Sequence, residues 1–475
     1  MKSLFWIGCF LSRALLVLFI LTSGVGLMPD EAQYWTWSLF PDFGYYSKPP
    51  GIAWQIWMGT HIFGMNELGV RFISLLLPIP MALFIKGIVN VLTSNPSVAY
   101  LTGLAFLLSP LGMSASLIAT TDGGMLLFGL GTIYFYLKSS SHTQAGIFIA
   151  LGALWKWMTY VLLLPLLIYE LIMKQFKIAP FLWMCLISLL GLIPALLWNI
   201  NHDFATFRHV EGTILNTHTA HAAANPVAFF LAAITLVSPG FFLLALPALF
   251  SMKKERALLL RLLVLFIFGG ILLMSCFRKV QGNWGVLGLV FLFPLMGCFL
   301  ATTKKKWFLP AAILVSLLLQ GIFLGNFLKR SPLQHGMGME KISDALIQSG
   351  YTPQHFLFSD RYQTVSLVWF YGPEQKKTYF FNISNLRHNQ FCFWPGMEKE
   401  CVRKSGFYVA LVPSAEKSSL SVRAHHMQKK LKEYFAHVGR PKIYPLRSSN
   451  TISNYLLIIP ARKYSGMTPE QKETY

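Results

Sequence analysis

The sequence predicts a polytopic α-helical membrane protein that carries a small α/β domain at its C-terminal end. Three observations predict it. The 475 residues are 54% hydrophobic and only 12% charged, with a mean hydropathy of +0.52, whereas soluble proteins carry about 25% charged residues. Apolar runs near the length of a bilayer crossing recur through the first two thirds of the chain. From residue 328 onward the pattern changes to short β-like runs between amphipathic stretches.

The first run, Leu4 to Leu27, is long for a signal peptide, and "GVGLMPDE" offers no clean small-residue cleavage site. It predicts a retained transmembrane helix interrupted by Arg13. Further apolar runs follow at about 71–93, 98–119, 123–137, 145–158, 159–173, 178–198, 227–250, 257–277, 284–301 and 307–327. The 145–173 stretch fits either two short helices or one long one, and about 11 spans are expected in all. Basic residues orient them. With the N-terminus in the cytoplasm, the inside loops hold Lys86, Lys138, Lys174 with Lys177, "KKER" at 253–256 and "KKK" at 304–306, as the excess of inside positive charge requires. Asp122, a first loop at 28–70, the segment 199–226 and everything after Phe327 then face outward. Only Arg278 and Lys279 stand against the rule.

Residues 1–327 are therefore expected to form the membrane domain and 328–475 a soluble outer domain. In the latter, "HFLFSD", "TVSLVWFY", "KTYFFNI", "GFYVALV" and "YLLIIP" read as strands, and 338–349 and 418–437 as amphipathic helices. Its 21 Lys+Arg against 10 Asp+Glu suit either anionic head groups or simple solubility. No zinc spacing, RNP-type strand, Walker loop or dinucleotide fingerprint is present, so nothing in the sequence supports a nucleic-acid module or a nucleotide-driven reaction. Cys392 and Cys401, nine apart in the outer domain, are candidates for a disulfide.

Carboxylates are scarce in the first 327 residues. Of Asp30, Glu31, Asp42, Glu67, Asp122, Glu170, Asp203, Glu211 and Glu255, all but Glu170 and Glu255 map to the outer face. Lys48, Arg71, Lys156, Arg208 and Arg278-Lys279 arrive at the same face. A single cation there most often snorkels to lipid phosphate. Several converging with carboxylates suit a polar cavity for a phosphorylated substrate whose lipid tail stays in the bilayer.

"DEAQYWTWS…GYYSKPPGIAW…FGMNELGVRFIS" resembles the first outer loop of bacterial glycosyltransferases related to the protein O-mannosyltransferases, a superfamily that includes the lipid A aminoarabinose transferase. The similarity continues through "SPLGMSASLIATTDGGMLLF", "ALWKWMTYVLLLP", "PALLWNINHDFATFRH", "KVQGNW", "SDRYQTVSLVWFY" and "LRHNQFCFW". The resemblance implies a GT-C fold with short or reentrant helices in the first outer loop and an active site facing the periplasm of the bacterial inner membrane. It also implies a polyprenyl-phosphate-linked sugar as donor and inversion at the anomeric carbon. It puts the acidic pair on Asp30 and Glu31, the "KPP" lysine on Lys48, the "TD" aspartate on Asp122 and a further lysine on Lys156. The chain departs from the usual pattern at Gly51, where leucine often follows the prolines, and at Trp155.

On this reading Asp30 is the base, with Glu31 orienting an acceptor hydroxyl or supporting the loop and Asp122 as a third catalytic candidate. Lys48, Lys156, Arg71 and Arg278 are candidates for the donor phosphate, and Tyr45, Tyr46, His202 and Arg208 for the rest of the substrate. For most aromatic residues of the loop, Tyr34, Trp35, Trp37, Tyr45 and Tyr46 among them, a place at the membrane interface is the simpler expectation. No cofactor is required; a divalent ion between Asp30 and Asp122 is left open. The expected acceptor is lipid A or another envelope glycolipid. A protein acceptor and a flippase or transporter of lipid-linked glycans are the competing readings, the transporter being disfavoured by the lack of an internal repeat.

Overall fold

The structure, a computed structural model, describes residues 1–215, 224–251, 255, 257–303, 307–327, 337–448 and 451–470. Of the expected inside loops, "KKK" and all of "KKER" except Glu255 lie outside the described residues. Proline and short polar side chains set where helices begin. Pro29, Pro78, Pro96, Pro110 and Pro226 occupy first turns, where a missing N–H removes no helical hydrogen bond. Asn66, Asn95, Ser109 and Ser141 cap the helices that follow them by accepting the backbone N–H three residues on.

All the apolar runs are helical, yet they are not equal. Among the described residues, five helices are long and apolar enough to cross a bilayer: Lys2–Thr22, Glu67–Thr93, Ile178–Ile200, Ala257–Ser275 and Gly282–Thr302. Two bent pairs raise the count to seven, Pro96–Leu107 with Pro110–Leu117 at 54° and Pro226–Val237 with Pro239–Phe250 at 102°. The breaks fall just before Pro110 and Pro239, where the ring cannot donate and clashes with the preceding turn. The 145–173 stretch resolves as two elements, His142–Ala153 and Trp157–Ile172, with Lys156 in extended backbone between them. Arg13 does not interrupt the first helix. It is buried there, and its Nη1 donates to the Leu75 carbonyl at 2.8 Å and the Ser116 hydroxyl at 2.5 Å, so the charge faces the inside of the bundle rather than lipid.

The C-terminal domain is a six-stranded mixed sheet of β1 (Phe356–Ser359), β2 (Thr378–Phe380), β3 (Gly406–Pro413), β4 (Phe435–Val438), β5 (Lys442–Ser448) and β6 (Thr451–Tyr464). The order is β2-β1-β3-β6-β4, with β5 also on β6; β1 is parallel to β2 and β3, and the pairs made by β6 are antiparallel. One expected strand is a helix instead. "TVSLVWFY" lies in the helix Tyr362–Tyr371, because parallel β1 and β2 require a crossover. Its apolar run fits a helix buried on two sides. β4 and β5 had no sequence assignment, and β4 begins inside the expected 418–437 helix, which ends at Leu431.

That crossover helix joins the two halves. Trp35 of the helix Pro29–Ser38 packs edge-on against Phe370 at 4.9 Å and Trp369 at 6.3 Å. The Tyr371 hydroxyl accepts from Leu27 N–H at 2.7 Å and donates to Glu67 at 2.8 Å. The first loop and the sheet domain thus share one hydrophobic core. The disulfide is not formed: both thiols are free. Cys401 is buried in the sheet core beside Met397 and Tyr408, whereas Cys392 belongs to the 3-10 turn Gln390–Phe393, whose Phe391 packs into the shared core instead.

Candidate active site at the junction of bundle and sheet domain

The stretch from Met28 to Gly51 folds into a helix, Pro29–Ser38, and a tight turn in which Tyr45 and Lys48 exchange backbone hydrogen bonds at 3.1 and 3.4 Å. The rings between them hold the loop together rather than meeting lipid. Trp37 and Tyr45 stack at 4.7 Å and 10°. Tyr34, Trp35, Trp37, Tyr45 and Tyr46 are all buried. This corrects the interface expectation, and it also removes Tyr45 from the substrate candidates. Its hydroxyl donates to the Trp37 and Phe40 carbonyls and accepts from Asp42 N–H, each at 3.1 Å.

Glu31 and Arg71 are likewise set apart from the open site. They form a two-pronged ion pair, Nε to Oε1 at 2.9 Å and Nη2 to Oε2 at 2.7 Å, with 0% and 1% of their surfaces exposed. Glu31 also accepts from the backbone N–H of Met28 and Ala119, both at 2.9 Å, and Arg71 donates to the carbonyls of Val25 and Gly26. Glu31 is thus the hub that anchors the loop to the bundle, and Arg71 is spent on it. Of the two roles expected for Glu31 the geometry favours loop support, and Arg71 has no open face for a donor phosphate.

What remains open is Asp30, one residue away on the exposed side of the same helix. Its carboxyl is accessible yet crowded by protein on most sides. That crowding holds its pKa above the ordinary carboxylate value, against the opposing pull of Lys48 and Arg387, with Glu31 adding to the rise. Lys48 is half-buried, and burial pushes its ammonium below the usual lysine value. Lys156 and Arg387 act the same way, while Asp122 and Asp30 oppose. The same field therefore couples Asp30, Lys48, Asp122, Lys156 and Arg387.

Lys156 Nζ meets Asp122 Oδ1 at 2.6 Å, and Asn283 Nδ2 meets Oδ2 at 2.9 Å. Asp122 sits in the first turn of the helix Thr121–Ser139, where a carboxylate is favoured by the exposed N–H groups. Each Asp122 oxygen thus carries one internal donor, and the carboxylate and Lys156 form a single pair. Among the described residues no three His, Cys, Asp or Glu side chains converge as a metal-binding group.

The turn around Lys156 accounts for Gly51 and Trp155 together. Trp155 lies over Gly51 and Gly124: a Cβ on Gly51 would stand 2.6 Å from its ring, and one on Gly124 2.3 Å. Gly51 N–H donates to the Leu154 carbonyl at 2.7 Å, and Trp155 Nε1 donates to Gln55 at 2.9 Å. Glycine at 51 and tryptophan at 155 are therefore one coupled choice. Gly51→Leu is expected to destabilise the protein by about 1–3 kcal/mol through overpacking. Gly51→Leu with Trp155→Ala should recover part of that loss, read as a non-additive thermal-unfolding cycle.

Of the other candidates, His202 stacks on Trp198 at 4.0 Å and 7°, with Nδ1 2.7 Å from the Trp198 carbonyl. Arg208 is exposed on the helix Ala205–Leu215. Tyr46 is buried against His209 at 4.8 Å, and Arg278 lies over the Trp284 ring at 5.6 Å. His209, pushed down to about 4 by burial with Arg387 and Lys48, is neutral at pH 7. Sequence reasoning missed Arg387 and Tyr362, which hydrogen-bond each other and lie within electrostatic reach of Asp30. Both come from the sheet domain, on stretches ("SDRYQ", "LRHNQ") quoted above only for resemblance. The Arg387 loop is fixed by Asn382, whose side chain bridges Leu386 N–H and C=O at 2.7 Å each, and by Gln390, which accepts from Tyr46 N–H at 2.7 Å.

A helical membrane bundle whose first loop is roofed by an α/β domain, with acids and lysines at the seam, is the GT-C architecture. The same fold is found in ArnT from Cupriavidus metallidurans, solved in the apo state and bound to undecaprenyl phosphate. Its TM-score is 0.62 in both, at 15% and 14% identity, over 99% and 95% of this chain and 100% and 98% of ArnT. The oligosaccharyltransferase AglB from Archaeoglobus fulgidus matches with a TM-score of 0.50 at 9% identity, over 95% of this chain and 74% of AglB. Residues 47–198 match the family model described as dolichyl-phosphate-mannose-protein mannosyltransferase. The chain is 27% identical over 308 residues to lipid A galacturonosyltransferase RgtD of Rhizobium johnstonii, a match covering 62% of this chain and 63% of that protein, just under two thirds of the curated relative's length. The chain thus shares its fold with ArnT and AglB and is similar in sequence to membrane glycosyltransferases over part of its length.

Proposed function

We propose that the protein is an inverting glycosyltransferase of the bacterial inner membrane. It moves a sugar from a polyprenyl-phosphate donor to an envelope glycolipid, lipid A before others, at a site facing the periplasm. The observation that carries this reading is the seam itself: an open carboxylate at Asp30 within the field of Lys48, the Asp122–Lys156 pair and Arg387. The name of RgtD supports lipid A as acceptor, and the bound ligand in ArnT supports a polyprenyl phosphate.

The acceptor oxygen attacks the anomeric carbon as the bond to the lipid phosphate breaks. The phosphate departs with the bonding electrons, and Asp30 takes the acceptor proton. Lys48, set before the stiff Pro49-Pro50 pair, offsets charge growing on the departing phosphate, with Lys156 beside it. Asp30 rides just outside the first span, at the depth where a lipid-linked sugar emerges. If the acceptor is a phosphate it is already ionised, and Asp30 then positions the donor sugar instead. Comparative mass spectrometry of envelope glycolipids with and without the gene tests the reading. Loss of a hexose-, uronic-acid- or aminopentose-sized increment from lipid A is expected and would identify the sugar. An unchanged lipid A, with a changed glycoprotein, would refute the glycolipid assignment.

A further inference from the structure

At the far end of the helix Thr121–Ser139, roughly 25 Å from Asp122 at 1.5 Å per residue, lies a second polar cavity unrelated to the proposed chemistry. It encloses about 390 Å³ and is lined by Tyr136, Ser140, His142, Glu170, Gln175 and Lys177, among others. Glu170 is 1% exposed. Its Oε1 takes both internal donors, the Tyr136 hydroxyl at 2.8 Å and His142 Nε2 at 2.7 Å, while Oε2 is buried with no hydrogen-bond partner. A buried carboxylate oxygen left in that state calls for a donor from outside the chain. At the rim, Lys177 is exposed and pairs with no carboxylate among the described residues.

We propose that this cavity holds the head group of a phosphoethanolamine lipid, its ammonium on Glu170 and its phosphate on Lys177. A bare metal ion is disfavoured by the adjacent lysine and histidine, and an anion by Glu170. A zwitterion with a primary ammonium at one end and a phosphate at the other satisfies both. The lipid is favoured over a soluble amine by the surface beside the opening, where Leu171, Ile172, Ile178 and Leu182 are each more than half exposed and offer a track for acyl chains. The volume lies in the range of small-ligand pockets, enough for a head group with the tails outside. The loops at this end carry Lys138, Lys174 and Lys177, as expected where anionic and zwitterionic head groups meet a protein.

The test is native mass spectrometry of the full-length protein from micelles with equal phosphatidylethanolamine, phosphatidylcholine and phosphatidylglycerol. One phosphatidylethanolamine should be retained over phosphatidylcholine by about tenfold, the value of one charge-assisted hydrogen bond that a quaternary ammonium cannot make. Glu170→Gln should abolish that preference, and Lys177→Gln should weaken both lipids alike. Gln175→Trp, which obstructs the cavity from an exposed position, should abolish retention and keeps the test valid if Glu170→Gln does not fold. Equal retention of the two lipids by the natural protein, or a preference that survives Glu170→Gln or Gln175→Trp, would overturn the proposal. So would displacement of the lipid by soluble phosphoethanolamine at equal concentration, since the acyl track would then contribute nothing.

Discussion

Asp30→Asn is expected to lower turnover on a hydroxyl acceptor by roughly a hundredfold or more while donor lipid still binds, because the amide keeps the shape and loses the basicity. The pH profile supplies an independent reading. On the proposed mechanism the working form is the carboxylate, and burial raises its pKa above the ordinary value. Activity is therefore present above that raised pKa and is lost as pH falls through it, at a higher pH than an exposed aspartate would give. Lys48→Ala should differ in kind, weakening donor binding and turnover together, since a cation helps the bound phosphate and helps the departing charge more. Near-normal turnover of Asp30→Asn on a hydroxyl acceptor would remove the base assignment. Normal turnover on a phosphate acceptor alone would make Asp30 a positioning residue.

Glu31→Gln and Arg71→Met are each expected to cost about 3–5 kcal/mol of stability, the usual penalty for stranding one partner of a buried ion pair. Glu31 holds Arg71 and two backbone N–H groups, so its loss frees the loop from the bundle at several points. Thermal unfolding of the purified variants checks this. The double replacement should lose much less than the sum, because no charge is then left buried alone. Equal stability of both single variants and the natural protein would mean that the pair is not the loop's anchor. Turnover per folded molecule should fall less than in Asp30→Asn, which separates the neighbouring carboxylates by role.

Composition and hydropathy by themselves determined a helical membrane bundle, since the bilayer filters sequences at the level of segments, and the change of pattern after residue 327 marked a C-terminal α/β domain. Four of the six tail strands, β1, β2, β3 and β6, were legible as short apolar runs bounded by polar and turn-forming residues. Only the tertiary structure decided what each charge in the opening stretch does. Asp30 and Glu31 are adjacent in sequence, yet about 100° of helical turn sends one to the open seam and the other into the bundle against Arg71. Arg387 stands more than three hundred residues from Asp30 and reaches it only because the crossover helix docks on Trp35. The same crossover turned "TVSLVWFY" from strand into helix, since topology outweighs local propensity where a parallel pair must be bridged. The pairing of Gly51 with Trp155 was visible as two separate oddities, and became one fact when the ring was seen lying where a side chain at 51 would have to go.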